Sequence, residues 1–159
     1  MKYTNTNEKV AVIGLGYVGV PLLIRLSEVG FSVLGIDIDE TRVEYLKNGT
    51  SYIDNINDDA VRNLNASFET SFDTLSEVDV IVICVPTPLD SKDAPDLEPM
   101  KSAIQNILPF IKAGQLICLE STTYPGCTSE LLAKKVEASG YIIGEQINIS
   151  FSPEREDPG

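Results

Sequence analysis

Apolar runs alternate with stretches of helical period along almost the whole chain. Residues 10–13, 32–36, 67–70, 78–85, 116–120 and 148–151 read as strands. Val80-Ile81-Val82-Ile83-Cys84-Val85 is apolar without alternation, the pattern of a strand covered on both faces. Between the strands, helical spacing predicts helices over 41–47, 59–64, 98–111 and 128–138. In the third of these, Met100, Ile104, Ile107, Leu108 and Ile111 share one face, and Pro109 either ends the helix early or bends its last turn. Gly140 closes the fourth. Residues 51–58 are polar and read as a surface loop, and residues 86–95 as a longer loop rich in Pro and Asp.

Strands alternating with helices imply right-handed crossovers and one parallel sheet. The fold class expected is α/β, a Rossmann-type doubly wound sheet with strand order 3-2-1-4-5-6 and its ligand at the switch point. Gly14-Leu15-Gly16-Tyr17-Val18-Gly19 stands at that point, a G-x-G-x-x-G directly after the first strand. Gly14 permits a tight turn, Gly16 lets a pyrophosphate approach the backbone, and Gly19 lets helix and strand pack closely. The helix that follows has Pro21 in its first turn, presents Leu22, Leu23, Leu26 and Val29 on one side, and stops at Gly30. Its unpaired N–H groups would face the diphosphate. The second strand ends at Asp37, about 20 residues on, where a carboxylate accepts hydrogen bonds from an adenosine ribose. That carboxylate would repel a 2′-phosphate, which favours NAD over NADP. Arg42 nearby either borders the adenine or pairs with an acid on its helix, though an arginine there can also accommodate a 2′-phosphate. Asp39 reads as that helix's N-cap.

Composition narrows the partners. The chain has 159 residues, enough for one domain with a sizeable core, with 43% hydrophobic and 23% charged residues. Twelve Lys+Arg stand against 24 Asp+Glu, a formal charge of −12. Such a balance argues against nucleic acid and acidic membranes as partners, whereas a dinucleotide held by backbone amides remains compatible. No apolar stretch is long enough to span a bilayer and no apolar signal region is seen, so a cytoplasmic location is expected. The three cysteines suggest no disulfide framework, and with no histidine the chain cannot build a Ser/His/Asp or Cys/His triad. Cys127 sits at a predicted helix N-terminus, where a dipole can lower a thiol pKa, but with no histidine to activate it a structural role is expected. Cys84 and Cys118 read as small core residues. No metal site is expected.

Three further segments fall at carboxyl ends of predicted strands and should converge on one rim. They are Cys84-Val85-Pro86-Thr87-Pro88, Glu120-Ser121-Thr122-Thr123-Tyr124-Pro125-Gly126 and Phe151-Ser152-Pro153-Glu154-Arg155. Together with the glycine run, in this order, they resemble the UDP-glucose/GDP-mannose dehydrogenase family over its N-terminal, NAD-binding domain. The ending Ser152-Pro153-Glu154-Arg155-Glu156-Asp157-Pro158-Gly159 most resembles the UDP-N-acetylglucosamine 6-dehydrogenase branch.

The resemblance implies two successive oxidations of a UDP-sugar at C6, with two NAD⁺ and a cysteine that carries the intermediates. It implies that Gly14, Gly16, Tyr17, Val18, Gly19, Asp37, Arg42, Thr87 and Thr122 contact NAD. Tyr17 and Val18 would present mainly backbone, with the Tyr17 ring free to pack or to stand exposed. Thr122, otherwise an ordinary strand-end hydroxyl, would sit near the nicotinamide and help hold the catalytic water. Glu154, otherwise a solvated acid, would handle protons beside substrate and nicotinamide. The family's nucleophilic cysteine and its helpers lie beyond the Ser-Pro-Glu segment. Residues 1–159 therefore read as the NAD-binding domain of a longer protein, with the central helix and the sugar-nucleotide domain outside it. Alone it should turn nothing over. The full-length enzyme should form homo-oligomers. Where one branch carries a second glutamate, this chain has Pro158, and no role passes to Glu156. The rivals are a dinucleotide-sensing module without chemistry and another NAD enzyme such as a hydroxyacid dehydrogenase.

Overall fold

A computed structural model describes residues 7–88, 95–121 and 123–153. Its strands are β1 (Lys9–Ile13), β2 (Ser32–Ile36), β3 (Ala66–Glu69), β4 (Val80–Ile83), β5 (Leu116–Glu120) and β6 (Asn148–Ser152). They form one sheet in the order β3-β2-β1-β4-β5-β6 with every pairing parallel. The expected doubly wound topology is therefore the one observed.

Alternation along each strand divides the core in two. Val10, Val12, Val33 and Val82 point to one face, where they meet α1 (Gly19–Glu28), α2 (Glu40–Lys47) and α3 (Asp58–Arg62) through Leu23, Leu46 and Val61. Ala11, Ile13, Ile81 and Ile117 point to the other, against α4 (Glu98–Ile107) and α5 (Lys134–Ala138) through Ile104, Ile107 and Val136. Helices on both faces explain why the β4 run needs no polar alternation.

Several boundaries differ from the pattern-based reading. The run 78–85 pairs in register only over Val80–Ile83, with Asp79 N and Cys84 N closing the two ends on Lys9 O at 2.9 Å and Ile13 O at 2.7 Å. The helix over 98–111 ends at Ile107, and Leu108–Phe110 tightens into a 3₁₀ turn around Pro109. The stretch 128–138 is split: Thr128–Ala133 is π-helical and only Lys134–Ala138 is α-helical. A 3₁₀ turn over Asp73–Glu77 had no sequence counterpart.

Residues 51–57 form a surface loop as expected, with α3 starting at Asp58, but the loop packs on the core. Ile53 is buried, and Tyr52 and Ile56 pack against the α1–α2 side of the core. Gln115, also unforeseen, is fully buried. Its amide donates to Leu75 O at 2.7 Å and Val78 O at 2.9 Å, and its oxygen accepts from Lys112 N at 2.8 Å. With its side-chain groups so engaged, the cost of burying the amide is offset, and it ties the start of β5 to the chain entering β4.

Candidate functional site

A cleft of about 790 Å³ opens at the carboxyl ends of β1, β2, β4 and β5. Its size is that of a small-molecule site, and its position is the switch point of the sheet. The glycine run forms its floor. Gly14 turns with φ 92°, and a Cβ there would lie 2.8 Å from Cys84 O. A Cβ on Gly19 would lie 1.8 Å from Gly14 O. Packing within the chain thus demands both glycines. Gly16 is different: a Cβ there would meet nothing within 4 Å, and the residue lines the cleft. No contact within the chain accounts for its bareness, whereas a ligand lying against the backbone would.

α1 begins beside it without a side-chain cap at Val18. The N–H groups of Gly16, Tyr17 and Val18 find no acceptor among the described residues. Donors left over at a helix start, backed by its dipole, suit an anion. Tyr17 is 49% exposed, so its ring is not a core residue.

The end of β2 builds a charged corner. Asp37 is only 7% exposed. Its Oδ2 accepts from Leu15 N at 2.7 Å and its Oδ1 from Asp39 N at 2.9 Å. Arg42 Nη1 lies 3.6 Å from Asp37 Oδ2, and Arg42 Nε lies 3.5 Å from Asp39 Oδ2. Arg42 therefore pairs with acids, one of the arrangements left open for it, and still lines the cleft. Asp39 caps α2 as expected, accepting from Thr41 N at 2.9 Å. The missed member of this corner is Tyr52. Its hydroxyl donates to Leu15 O in the glycine loop, and the Arg42 guanidinium sits 5.9 Å from its ring centre. Burial, and then the Asp37 charge, push the phenol up, with Arg42 opposing, so it remains a donor. One sequence signal was available: a tyrosine beside an isoleucine within a polar stretch.

The opposite wall comes from the loops after β4 and β5. Thr87 and Glu120 line it, and Ser121, buried, donates from Oγ to Val85 O at 2.9 Å, which ties the two loops together. Helix α4 adds Ser102 and Asn106. Among the sequence-predicted site residues, Gly14, Gly16, Tyr17, Val18, Asp37, Arg42 and Thr87 share this cleft, while Gly19 lies behind it against Gly14. Thr122 and Glu154 lie outside the described residues. The chain leading to them reaches the same edge: Glu120 and Ser152 are register partners at the ends of β5 and β6.

Cys127 sits just before the π-helical turn, 1% exposed, with Sγ 3.7 Å from Met100 Sδ. Burial pushes its thiol up, and a hydrogen bond with Thr123 opposes this only in part. Burial also pushes up Cys118. A Cys127→Ser variant should therefore lose one titratable thiol in urea yet show the same slow thiol-reagent kinetics when folded; loss of a fast native phase would make Cys127 a reactive thiolate. Among the described residues no cluster could hold a metal ion, and no helix is long and apolar enough to cross a membrane.

Comparison with known proteins agrees with this geometry. The sequence profile of the UDP-glucose/GDP-mannose dehydrogenase family, NAD binding domain, matches residues 8–159. A UDP-N-acetyl-D-glucosamine 6-dehydrogenase of Pseudomonas aeruginosa is 37% identical over 156 residues, covering 95% of this chain and 36% of that protein. A UDP-N-acetyl-D-mannosamine dehydrogenase of Methanococcus maripaludis is 38% identical over 161 residues, covering 96% and 35%. Among solved structures, the UDP-N-acetyl-mannosamine dehydrogenase Cap5O from Staphylococcus aureus superposes with a TM-score of 0.85 at 33% identity, covering 96% of this chain and 38% of that one. The chain thus spans little more than a third of the length of these relatives.

Proposed function

Because this chain belongs to the UDP-glucose/GDP-mannose dehydrogenase family, as its NAD-binding domain, we propose that it is the cofactor half of an NAD-dependent UDP-sugar 6-dehydrogenase acting on UDP-N-acetylglucosamine. The observation that carries the cofactor part is Gly16, whose bareness opens onto the cleft beside unpaired N–H groups and the Asp37 corner. These residues fit NAD. The amides of Gly16, Tyr17 and Val18 bind the diphosphate. Asp37, already oriented by two backbone donors, accepts from the adenosine ribose with its remaining lone pairs. Arg42 lies at the adenine side and Thr87 on the facing wall.

When bound, NAD⁺ accepts a hydride at each of two oxidations. Overall, the C6 alcohol, two NAD⁺ and one water give the carboxylate, two NADH and three protons. On this reading Thr122 holds the water and Glu154 takes up protons at the reacting carbon. The sugar-nucleotide site and the nucleophilic cysteine belong to further domains of a homo-oligomeric enzyme.

The sugar assignment rests on the Ser152-Pro153-Glu154-Arg155-Glu156-Asp157-Pro158-Gly159 ending and on relatives named for UDP-N-acetylglucosamine. Relatives of equal similarity are named for UDP-N-acetylmannosamine, and that sugar is the second reading. The test is NADH formation by the full-length protein with each UDP-sugar. We expect UDP-N-acetylglucosamine to be turned over at least tenfold faster than UDP-N-acetylmannosamine, which inverts the C2 acetamido group, or UDP-glucose, which carries a hydroxyl in its place. The reverse ranking selects the second reading, and no NADH with any sugar leaves a dinucleotide-binding module. Residues 1–159 alone should give none, because positioning substrate against the nicotinamide supplies a large share of the rate.

A further inference from the structure

We propose that Tyr52 is the positioning residue of the glycine loop: by holding the Leu15 carbonyl, it turns the Gly16 N–H toward the cofactor's diphosphate. The inference rests on the reading of the cleft as an NAD site. Leu15 O and the Gly16 N–H belong to one peptide group. A trans peptide is planar, and its C=O and N–H point in opposite directions. Fixing the oxygen therefore fixes the hydrogen.

The Tyr52 hydroxyl reaches Leu15 O from 37 positions along the chain. On the other side of the same residue, Asp37 Oδ2 holds the Leu15 N–H at 2.7 Å. Both peptide groups flanking the Leu15 Cα are thus anchored. The next residue needs such help, since Gly16 has no side chain and no heavy atom near its Cβ position. An unrestrained glycine samples many backbone states, and each misdirects the amide. A bond accepted at the carbonyl also polarises the peptide and strengthens its N–H as a donor.

Tyr52 is itself held. Its ring lies 5.9 Å from the Arg42 guanidinium and 6.2 Å from the Tyr45 ring centre. Its neighbour Ile53 is buried, and the Ile53 N–H donates to Ser51 Oγ at 3.1 Å. Ser51 N in turn donates to Asp58 Oδ1 at 2.9 Å, at the start of α3. The segment between α2 and α3 is thereby built to deliver one hydroxyl to the glycine loop.

The test compares Tyr52→Phe with the unaltered chain in binding NADH, ADP and adenosine. The variant keeps the ring and loses the hydroxyl. We expect about tenfold weaker NADH and ADP binding, the scale of one hydrogen bond, with adenosine affinity within twofold. Unchanged ADP affinity overturns the proposal, and so does an equal loss for ADP and adenosine, which is what mere structural loosening produces. A second measurement needs no variant. In ¹⁵N spectra of the unaltered chain, the Gly16 amide should shift on adding ADP and stay in place on adding adenosine; an amide unmoved by ADP sinks the idea. If the unaltered chain binds neither NADH nor ADP, the cofactor reading fails and this one with it. Binding by the unaltered chain with no loss in Tyr52→Phe removes the Tyr52 role alone.

Discussion

Gly16→Val should yield a folded chain that no longer binds NADH, whereas Gly19→Val should yield a chain that does not fold. The two glycines belong to one motif and differ only in what surrounds them. A Cβ on Gly16 meets nothing within 4 Å, and its φ is not in the left-handed region, so an added side chain costs the fold little. The valine methyls would stand in the cleft, where the diphosphate must approach the backbone. No compensating contact is available to the ligand, and we expect affinity to fall by at least about a hundredfold, or roughly 3 kcal/mol.

At Gly19 the Cβ alone would sit 1.8 Å from Gly14 O, deep inside contact distance. Neither atom can swing away: one is a backbone carbonyl in the turn after β1, the other opens α1. Overpacking of side chains against side chains costs about 1–3 kcal/mol, and a Cβ driven into a backbone carbonyl that cannot move costs more. Against a total stability of roughly 5–15 kcal/mol, that is enough to unfold the chain. Thermal melts and calorimetric titration of the two variants separate the effects. A Gly16→Val chain that titrates normally would show that the diphosphate does not lie against this loop. A folded Gly19→Val chain would show that α1 can retreat from β1.

Those opposite outcomes also mark what was legible in the sequence. Strand number, order and parallel sense followed from apolar runs broken by helical spacing, because a two-sided sheet needs continuous apolar strands. The meeting of the glycine motif and Asp37 at one cleft, and the Asp39 cap, were legible because each is a local pattern with a backbone reason. Tyr52 was not, since its partner lies 37 residues away and polar neighbours hide that this surface loop packs on the core. Gln115 was hidden for the same reason: its acceptors belong to residues 75 and 78. The π-helical turn after Cys127 escaped because i→i+5 bonding leaves no distinct spacing signal over six residues. The boundary at Pro109 was open in the sequence, and the structure resolves it toward an early end.

Asp37→Ala should damage folding and binding together, and Asp37→Asn should separate them. The carboxylate is buried and serves the chain before any ligand arrives, accepting from Leu15 N and Asp39 N. Alanine strands both donors. One buried N–H left unsatisfied costs about 1–3 kcal/mol, and water entering from the cleft rescues part of it, so a loss of about 2 kcal/mol is expected. The ribose contact disappears as well. Loss of a hydrogen bond to a charged group is worth about 1.5–3 kcal/mol, or roughly ten- to a hundredfold in NADH affinity. Asparagine keeps the shape but offers one oxygen and one amide nitrogen to two backbone donors, so one donor must go without. Stability should therefore fall between alanine and the parent.

Discrimination is the sharper readout. In the parent chain the Asp37 charge opposes the 2′-phosphate of NADPH, while Arg42 is engaged with Asp37 and Asp39. Asparagine removes the repulsion and releases Arg42 from one of its acids. The preference for NADH over NADPH should narrow by about tenfold or more, close to the Coulomb energy of two near charges at a partly solvated site. If both cofactors weaken equally in Asp37→Asn, the carboxylate is only a brace for Leu15 and Asp39, and selection against the 2′-phosphate arises elsewhere in the cleft. A changed ratio, with a melting temperature between those of the parent and Asp37→Ala, would instead place that selection on a single buried charge.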